Sequence, residues 1–206
     1  MAALTAAIPP LALAEAWLAH QNGPSSQATA LQWLQGHGSQ QQIQAALAAV
    51  LANLWAQAFN IGVQAALALV KVAIALQLVR DALKQLEYEW LDDITATRME
   101  RLAAVLAKGG TPAELAKAIA AVLGDKDAAH LIAITESNRA MNAGRFQVYR
   151  AAQVPKVRWI TTSKDPCHIC LENEAAEPRY LGVPFPSGAI MPPEHPQCQC
   201  ELIPAE

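Results

Sequence analysis

The chain has 206 residues, of which 53% are hydrophobic, and its net charge is −3, from 15 Lys and Arg against 18 Asp and Glu. This length and apolar content suffice for one or two domains with a full core. The acidic balance argues against a protein that coats nucleic acid without specificity. Aromatic residues make up only 5%, while alanine and leucine dominate, so we expect close-packed helices rather than a sandwich or a barrel.

Residues 1–38 are predicted to form an N-terminal helical arm. Pro9-Pro10 opens a first short helix that ends near residues 21–24, and a second helix covers residues 26–35 before the Gly-His-Gly stop at 36–38. No basic region precedes the first apolar run, and no small-residue cleavage site follows it. A secretory signal is therefore not predicted.

Residues 39–108 are predicted to form very long helices, because they contain no proline and only one glycine, Gly62. Asp92-Asp93 is a predicted cap for a further helix that runs to Lys108. Apolar side chains recur at spacings of three and four, and the face that they form needs a partner helix: Ile43, Leu47, Val50, Leu51, Leu54, Trp55 and Ala58. We assign this region as an interface for self-association or for another protein.

The run from Ile61 to Val79 is nearly all apolar and could be read as a membrane span. Lys71, however, would lie near the bilayer centre at a cost of about 2.5–3.5 kcal/mol. The run also lacks an aromatic belt at both ends. A helix buried in a bundle or an oligomer is the favoured interpretation, and no membrane contact is predicted.

After Gly109-Gly110, the pattern Thr111-Pro112-x-Glu114 predicts a helix start with a capping box. That helix stops at Gly124, and Asp125 caps the next one, from about residue 126 to 152. The period then changes to two over residues 157–162, which predicts a short strand. Further strands are predicted at 179–183 and 198–203, separated by an irregular loop rich in proline and glycine.

The segment from Asp165 to Cys200 contains all four cysteines of the chain. Cys167 and Cys170 have C-x-x-C spacing, Cys198 and Cys200 have C-x-C spacing, and His195 lies three residues before Cys198. Two close pairs of soft ligands joined by a loop are typical of a tetrahedral zinc site. Cys167 and Cys170 are the first predicted ligands. Cys200 is expected to bind together with either His195 or Cys198.

Other interpretations of this segment are less favoured. His168 is expected to point outward from the turn between the first two cysteines. Two disulfides are an alternative to zinc, but a chain of this length needs no such staples. A catalytic zinc would keep an open position beside a base, for which Glu194 is the only nearby residue. The serines lack a plausible His and Asp setting, and no phosphate loop or zinc-protease motif is present, so we do not expect an enzyme or a small-molecule substrate.

Several motifs in the last third of the chain resemble the phage Mu F-like head morphogenesis family, also called minor capsid proteins. The resemblance covers residues 130–204 and rests on these segments: Ile134–Ala140, Ala143–Arg145, Tyr149, Val157–Trp159, Asp165, Cys167–Cys170, Pro192-Pro193 and His195–Cys200. Family members commonly end in Asn-Cys-Arg-Cys, where this chain has Gln197-Cys198-Gln199-Cys200. The missing arginine puts an anion-binding role at that position in doubt.

The resemblance implies a structural protein of a tailed phage or prophage, present in the virion at the portal inside the head and in the host cytoplasm during assembly. Its implied partners are the portal protein and the capsid interior, with a homo-oligomer and a contact with packaged DNA as further options. A toxin-delivery or adaptor module of a polymorphic system is the alternative. The polar face of the 126–152 helix, with Thr135, Glu136, Arg139 and Asn142, is expected to bind backbone carbonyls of the zinc segment.

The predicted fold class is mainly α. Long Ala-rich helices are followed by a small α+β C-terminal module, residues 109–206. This module contains a zinc-stapled β-hairpin, with its structural Zn²⁺ site within residues 165–200.

Overall fold

The computed structural model describes residues 6–21, 26–70 and 76–205, and between residues 76 and 89 it describes the side chains of 81–83 and 86. The fold is mainly helical, as predicted. The helices before the sheet are α1 (Pro10–His20), α2 (Gln27–Gly36), α3 (Ser39–Val70), α4 (Leu76–Ala107), α5 (Pro112–Gly124) and α6 (Lys126–Ala151).

The helix starts follow the capping residues that the sequence indicates. Ser26 accepts a hydrogen bond from the Thr29 amide at 3.1 Å. Thr111 and Glu114 form the full capping box ahead of α5, and Asp125 accepts from the Ala128 amide at 3.0 Å ahead of α6. Each cap satisfies amides that the first helical turn leaves without a partner. The predicted starts of α2, α5 and α6 are confirmed.

The predicted helix start at Asp92-Asp93 is wrong, because α4 runs through it without a break. The hydroxyl of Thr95 donates to the Leu91 carbonyl one turn earlier, at 2.7 Å, and so lies along the continuing helix. With no glycine or proline nearby, nothing in this stretch interrupts the backbone hydrogen bonds. Within the predicted apolar run from Ile61 to Val79, residues 71–75 lie outside the described residues.

The predicted apolar face of α3 is buried at most of its positions. Val50 is an exception, since 51% of it is exposed, and Leu54 is only half-buried. Among the described helices, α3 is the one whose length and hydropathy would suffice to cross a membrane. Less than half of its most apolar window is buried within the protein.

The chain divides into two compact units, residues 1–52 with 88–129 and residues 53–87 with 130–206. In the first unit, α1 packs on α5, and the indole of Trp17 donates to the Leu106 carbonyl at 3.0 Å. Other large, fully buried side chains of this unit include Leu34, Ile43, Leu102, Ile119 and Leu123. Arg98 is also buried and donates to the Val122 carbonyl near the end of α5, at 2.6 Å.

In the second unit, α3 and α6 approach each other at two glycines. A Cβ on Gly62 would overlap the Met141 carbonyl, and a Cβ on Gly144 would overlap the Phe59 carbonyl. These contacts are with backbone, which cannot move aside as a flexible side chain could. The helices therefore cross at a distance that only glycine permits.

The C-terminal sheet is antiparallel, with the order β2-β1-β3. Its elements are β1 (Lys156–Ile160), α7 (His168–Ala175), β2 (Arg179–Tyr180) and β3 (Glu201–Ala205). Trp159 pairs with Leu202 across β1 and β3, and both side chains are buried. The small α+β module is thus present, but β2 is shorter than predicted and β3 starts later.

The small antiparallel sheet and a possible Cys/His metal site are present, whereas zinc itself stays a prediction. Cys167 and Cys170 lie at the start of α7, and His195 to Cys200 precede β3. The two groups of candidate ligands are therefore held by a helix end and a loop rather than by two strands of a hairpin. A short C-x-x-C turn fits a helix start as well as a strand turn, so the spacing alone does not distinguish them.

Candidate metal centre

The first two cysteines are brought together by the first turn of α7. Cys167 is the N-cap residue, and its sulfur accepts from the Cys170 amide at 3.5 Å. The three-residue spacing places both sulfurs on the same side of this turn. The helix start thus presents two thiols in one direction.

His195 completes a group of three ligand atoms. Its Nδ1 lies 2.8 Å from the Pro196 carbonyl, so Nδ1 carries the proton that this hydrogen bond needs. That tautomer leaves Nε2 free to bind a metal. Nε2 lies 3.1 Å from the Cys167 sulfur and 3.2 Å from the Cys170 sulfur.

Cys198 and Cys200 form a second group with Cys170. The sulfurs of Cys170 and Cys198 are 3.7 Å apart, and those of Cys170, Cys198 and Cys200 all lie within 4.8 Å of one another. The Cys198 amide donates to the His195 carbonyl at 3.1 Å, which closes a turn between these two residues. The structure therefore brings together all five predicted ligands, with Cys170 shared by both groups.

The donor set fits a zinc ion. Bonds of about 2.0 Å to nitrogen and 2.3 Å to sulfur at tetrahedral angles place neighbouring ligand atoms roughly 3.5–3.8 Å apart. The 3.7 Å between Cys170 and Cys198 falls in this range, and the His195 distances are slightly shorter. All four cysteines are free thiols. The cluster could thus hold a metal ion.

The surroundings of the sulfurs favour different protonation states. The hydrogen bond from the Cys170 amide lowers the pKa of Cys167, and a hydrogen bond from the Cys200 thiol lowers the pKa of Cys198 to about 5. Burial raises the pKa of Cys170 to about 12. The hydrogen bond with Cys198, followed by burial, raises the pKa of Cys200.

His195 is subject to opposing effects. Burial lowers its pKa, but the hydrogen bond to the Pro196 carbonyl and the nearby Cys167 and Cys198 thiolates outweigh burial, so the net shift is upward. Thiolates around an imidazole are the electron-rich environment that a divalent cation would occupy.

Three polar side chains on one face of α6 hold the segment that carries the second ligand group. Asn138 donates to the carbonyls of Cys198 and Cys200, at 2.8 and 3.2 Å. Asn142 donates to the Cys200 carbonyl at 3.0 Å and accepts from the Leu202 amide at 2.9 Å. Thr135 accepts from the Gln197 amide at 3.0 Å. The predicted contact of this helix with backbone carbonyls of the zinc segment is confirmed.

The residues that make this contact differ in part from those predicted. Glu136 is buried and accepts from the Trp55 indole at 3.2 Å, and it forms an ion pair with Arg139 at 3.6 Å. Asn138, which the sequence analysis did not place on the binding face, makes two of the carbonyl contacts. Residues 135, 138 and 142 recur at spacings of three and four, and that periodicity could have identified Asn138.

The remaining polar residues near the cluster stabilise the loop. Asn173 is fully buried and bonds both the amide and the hydroxyl of Ser187. The Ser187 hydroxyl in turn donates to Glu194 at 3.0 Å. His168 is exposed, as predicted for a residue that points away from the cysteines.

The five ligands line a depression of about 490 Å³. Non-ligand polar residues on its wall include His130, Ser163 and Asp165. A small solute can therefore reach the sulfurs from solvent, although Cys170, Cys198 and Cys200 are each only 2% exposed.

Comparison with known proteins gives one match. The family model described as "Phage Mu protein F like protein" matches residues 98–203, about half of the chain. This match extends further towards the N-terminus than the motifs recognised in the sequence, and it includes the end of α4, α5, α6 and the metal centre. No curated protein and no solved structure matches the chain significantly.

Proposed function

The chain belongs to the phage Mu protein F-like family, and on this premise we propose that it is a structural minor capsid protein of a tailed phage or prophage. Membership of this family suggests a phage head morphogenesis protein that is associated with the virion. We propose further that it lies at the portal inside the head. In this role the metal would cross-link and stabilise the C-terminal module.

The observation that supports a structural metal is the position of the ligands. They come from the start of α7 and from the loop before β3, two segments that are far apart in sequence. A metal between them closes the loop of residues 171–194, and at a structural zinc the binding free energy contributes directly to folding. The buried Asn138 and Asn142 then connect the closed loop to α6.

The ligands that we propose for zinc are Cys167, Cys170, His195 and Cys198. The Nε2 atom of His195 lies 3.1 Å from the Cys167 sulfur and 3.2 Å from the Cys170 sulfur. The Cys198 sulfur lies 3.7 Å from the Cys170 sulfur, which is the distance expected between two sulfurs bound to one tetrahedral zinc. Four protein ligands leave no open position for a substrate or a reactive water. Glu194, the base that the sequence indicated, is already engaged by Ser187. Both features favour a structural protein over an enzyme.

The C-terminal half of α3 is the proposed surface for the portal or for a second copy of the chain. Ile61 and Leu69 are 59% and 52% exposed on this helix. We assign these exposed apolar side chains to the proposed interaction surface. We expect Ile61→Asp with Leu69→Asp to abolish association with the portal or self-association. Gln64→Asp, at an exposed polar position on the same helix, is the matched control and should associate normally.

The experiment that tests the proposed function is localisation of the protein in purified particles, together with its metal content. We expect the protein in particles and about one zinc per chain when purification avoids chelators. Glu194→Gln should support particle formation and infectivity in a complementation assay. A Glu194→Gln protein that folds and binds zinc but does not complement would instead indicate hydrolytic chemistry at the metal.

A further inference from the structure

The metal centre contains one more ligand atom than a tetrahedral ion can use. Four sulfurs and the His195 nitrogen form two overlapping groups of three that share Cys170, and a tetrahedral ion takes four ligands. Given the proposed set, the Cys200 sulfur is left over. It is buried, and it lies within 4.8 Å of the sulfurs of Cys170 and Cys198.

The backbone around Cys200 is held firmly in place. Its carbonyl accepts from both Asn138 and Asn142, at 3.2 and 3.0 Å. The amide of Leu202, two residues later, donates to Asn142 at 2.9 Å. The sulfur is therefore kept beside the metal ligands whether or not it binds the ion.

We propose that Cys200 is a spare thiol beside the metal, and that a peroxide oxidant joins it to Cys170 in a disulfide that expels the metal. This inference rests on the metal centre of the proposed function. The disulfide would connect α7 to the segment before β3, which are the same two segments that the metal connects. Oxidation would thus replace the metal cross-link with a disulfide between the same two segments.

The chemistry balances with hydrogen peroxide as the oxidant. The Cys170 sulfur, which metal coordination would hold as a thiolate, attacks one peroxide oxygen. The O–O bond breaks, the sulfur becomes a sulfenic acid, and hydroxide leaves and takes a proton from solvent to give water. The Cys200 sulfur then attacks the sulfenic sulfur, and the second hydroxide leaves with the Cys200 proton as water. Two thiols and one peroxide give one disulfide and two waters, so each sulfur is oxidised by one electron.

The geometry favours Cys170 over Cys198 as the partner of Cys200. A disulfide between Cys198 and Cys200 would have to close a small ring over a single intervening residue, which strains the torsion angles of the bond. Cys170 is in another segment and has no such constraint. Peroxide can reach it through the depression that the ligands line.

The test uses the full-length, zinc-loaded chain treated with hydrogen peroxide. Zinc release is followed with a chromogenic chelator, thiols are counted after denaturation, and disulfides are located by peptide mapping. We expect release of the bound zinc together with loss of two of the four thiols, and reversal of both by a reductant and added zinc. The mapped disulfide should join Cys170 to Cys200.

Variants separate this inference from the metal centre itself. Cys200→Ser should still bind zinc and give the same cobalt thiolate spectrum as the wild type, but should form no disulfide at Cys170. Cys198→Ser should lose stoichiometric zinc. Loss of zinc from Cys200→Ser would show that Cys200 is a ligand. In the wild-type chain, a disulfide between any other two cysteines would refute the proposed replacement of the metal by a Cys170–Cys200 disulfide. A wild-type chain that binds neither zinc nor cobalt would instead overturn the proposed metal centre.

Discussion

The two units of the chain bury different kinds of side chains. In the unit of residues 1–52 and 88–129, the described core is apolar apart from Ser39, Thr95 and Arg98. The other unit buries three cysteines and five further polar or charged residues. These are Thr135, Glu136, Asn138, Asn142 and Asn173.

This difference has a physical consequence. Apolar packing is not directional, so a helical core tolerates exchanges of similar volume. Hydrogen bonds and metal bonds need donor and acceptor atoms at defined distances, and a buried polar atom that loses its partner costs about 1–3 kcal/mol. We therefore expect the second unit to depend on individual residues much more strongly than the first.

The largest expected effect comes from removing the proposed zinc. Structural zinc contributes roughly 10–16 kcal/mol in small zinc-finger peptides, so Cys170→Ser or chelation should unfold the module of residues 156–205. The first unit should remain folded, because it contains no ligand. Limited proteolysis and hydrogen exchange would check this. Global unfolding of the chain on chelation would contradict the division of roles between the units.

The next largest effect is expected at the helix crossing in the second unit. Gly144→Ala would drive a Cβ into the Phe59 carbonyl, and overpacking of this kind typically costs about 1–3 kcal/mol or more. Gly36→Ala, in α2 of the first unit, meets no atom within 4 Å and should be neutral or slightly stabilising. Denaturant unfolding of both variants measures the contrast. If Gly144→Ala and Gly36→Ala had equal free energies of unfolding, α3 and α6 would have to move apart without cost to make room for the added Cβ.

A smaller effect is expected at the hydrogen bonds between α6 and the zinc segment. Asn142→Ala removes the acceptor of the Leu202 amide and a donor to the Cys200 carbonyl, which should cost about 1–3 kcal/mol for each buried group left unpaired. Zinc affinity should fall as well, since groups that support the ligand segment typically contribute about 10- to 100-fold. Competition with a chelator would measure it, with Ser137→Ala on the same helix as the control. An unchanged affinity would show that α6 only lies beside the site.

The smallest effect is expected at the capping box in the first unit. Thr111→Ala should destabilise α5 by about 1 kcal/mol. The hydrogen bonds from the backbone amide and side chain of Thr111 lower the pKa of Glu114. A lowered pKa means that this stabilisation is present above the unfolded pKa of the carboxyl and is lost as the pH falls. The difference in thermal stability between the wild type and Thr111→Ala should therefore narrow in acid, leaving the part due to the hydrogen bond from the Glu114 amide to the Thr111 hydroxyl. A difference that stays constant with pH would exclude a role for ionised Glu114.

The helices could be predicted well from sequence because their signals are local. Pro112 and the Thr111–Glu114 box act within one turn, and the lack of proline between residues 39 and 108 is visible without any tertiary contact. The one wrong start, at Asp92-Asp93, arose where a capping residue type occurs inside a continuous helix. A cap residue marks a boundary only where the backbone hydrogen bonds also end.

By itself the sequence determined the helical class, the caps and the set of five candidate metal ligands, since spacing and residue type are local properties. The tertiary structure decided which atoms meet. It placed Cys170 between two ligand groups, oriented His195 through the Pro196 carbonyl, and brought Asn138 to the backbone of Cys198. These contacts join residues up to 60 positions apart. No local periodicity encodes such distances, because they depend on how α6, α7 and β3 pack.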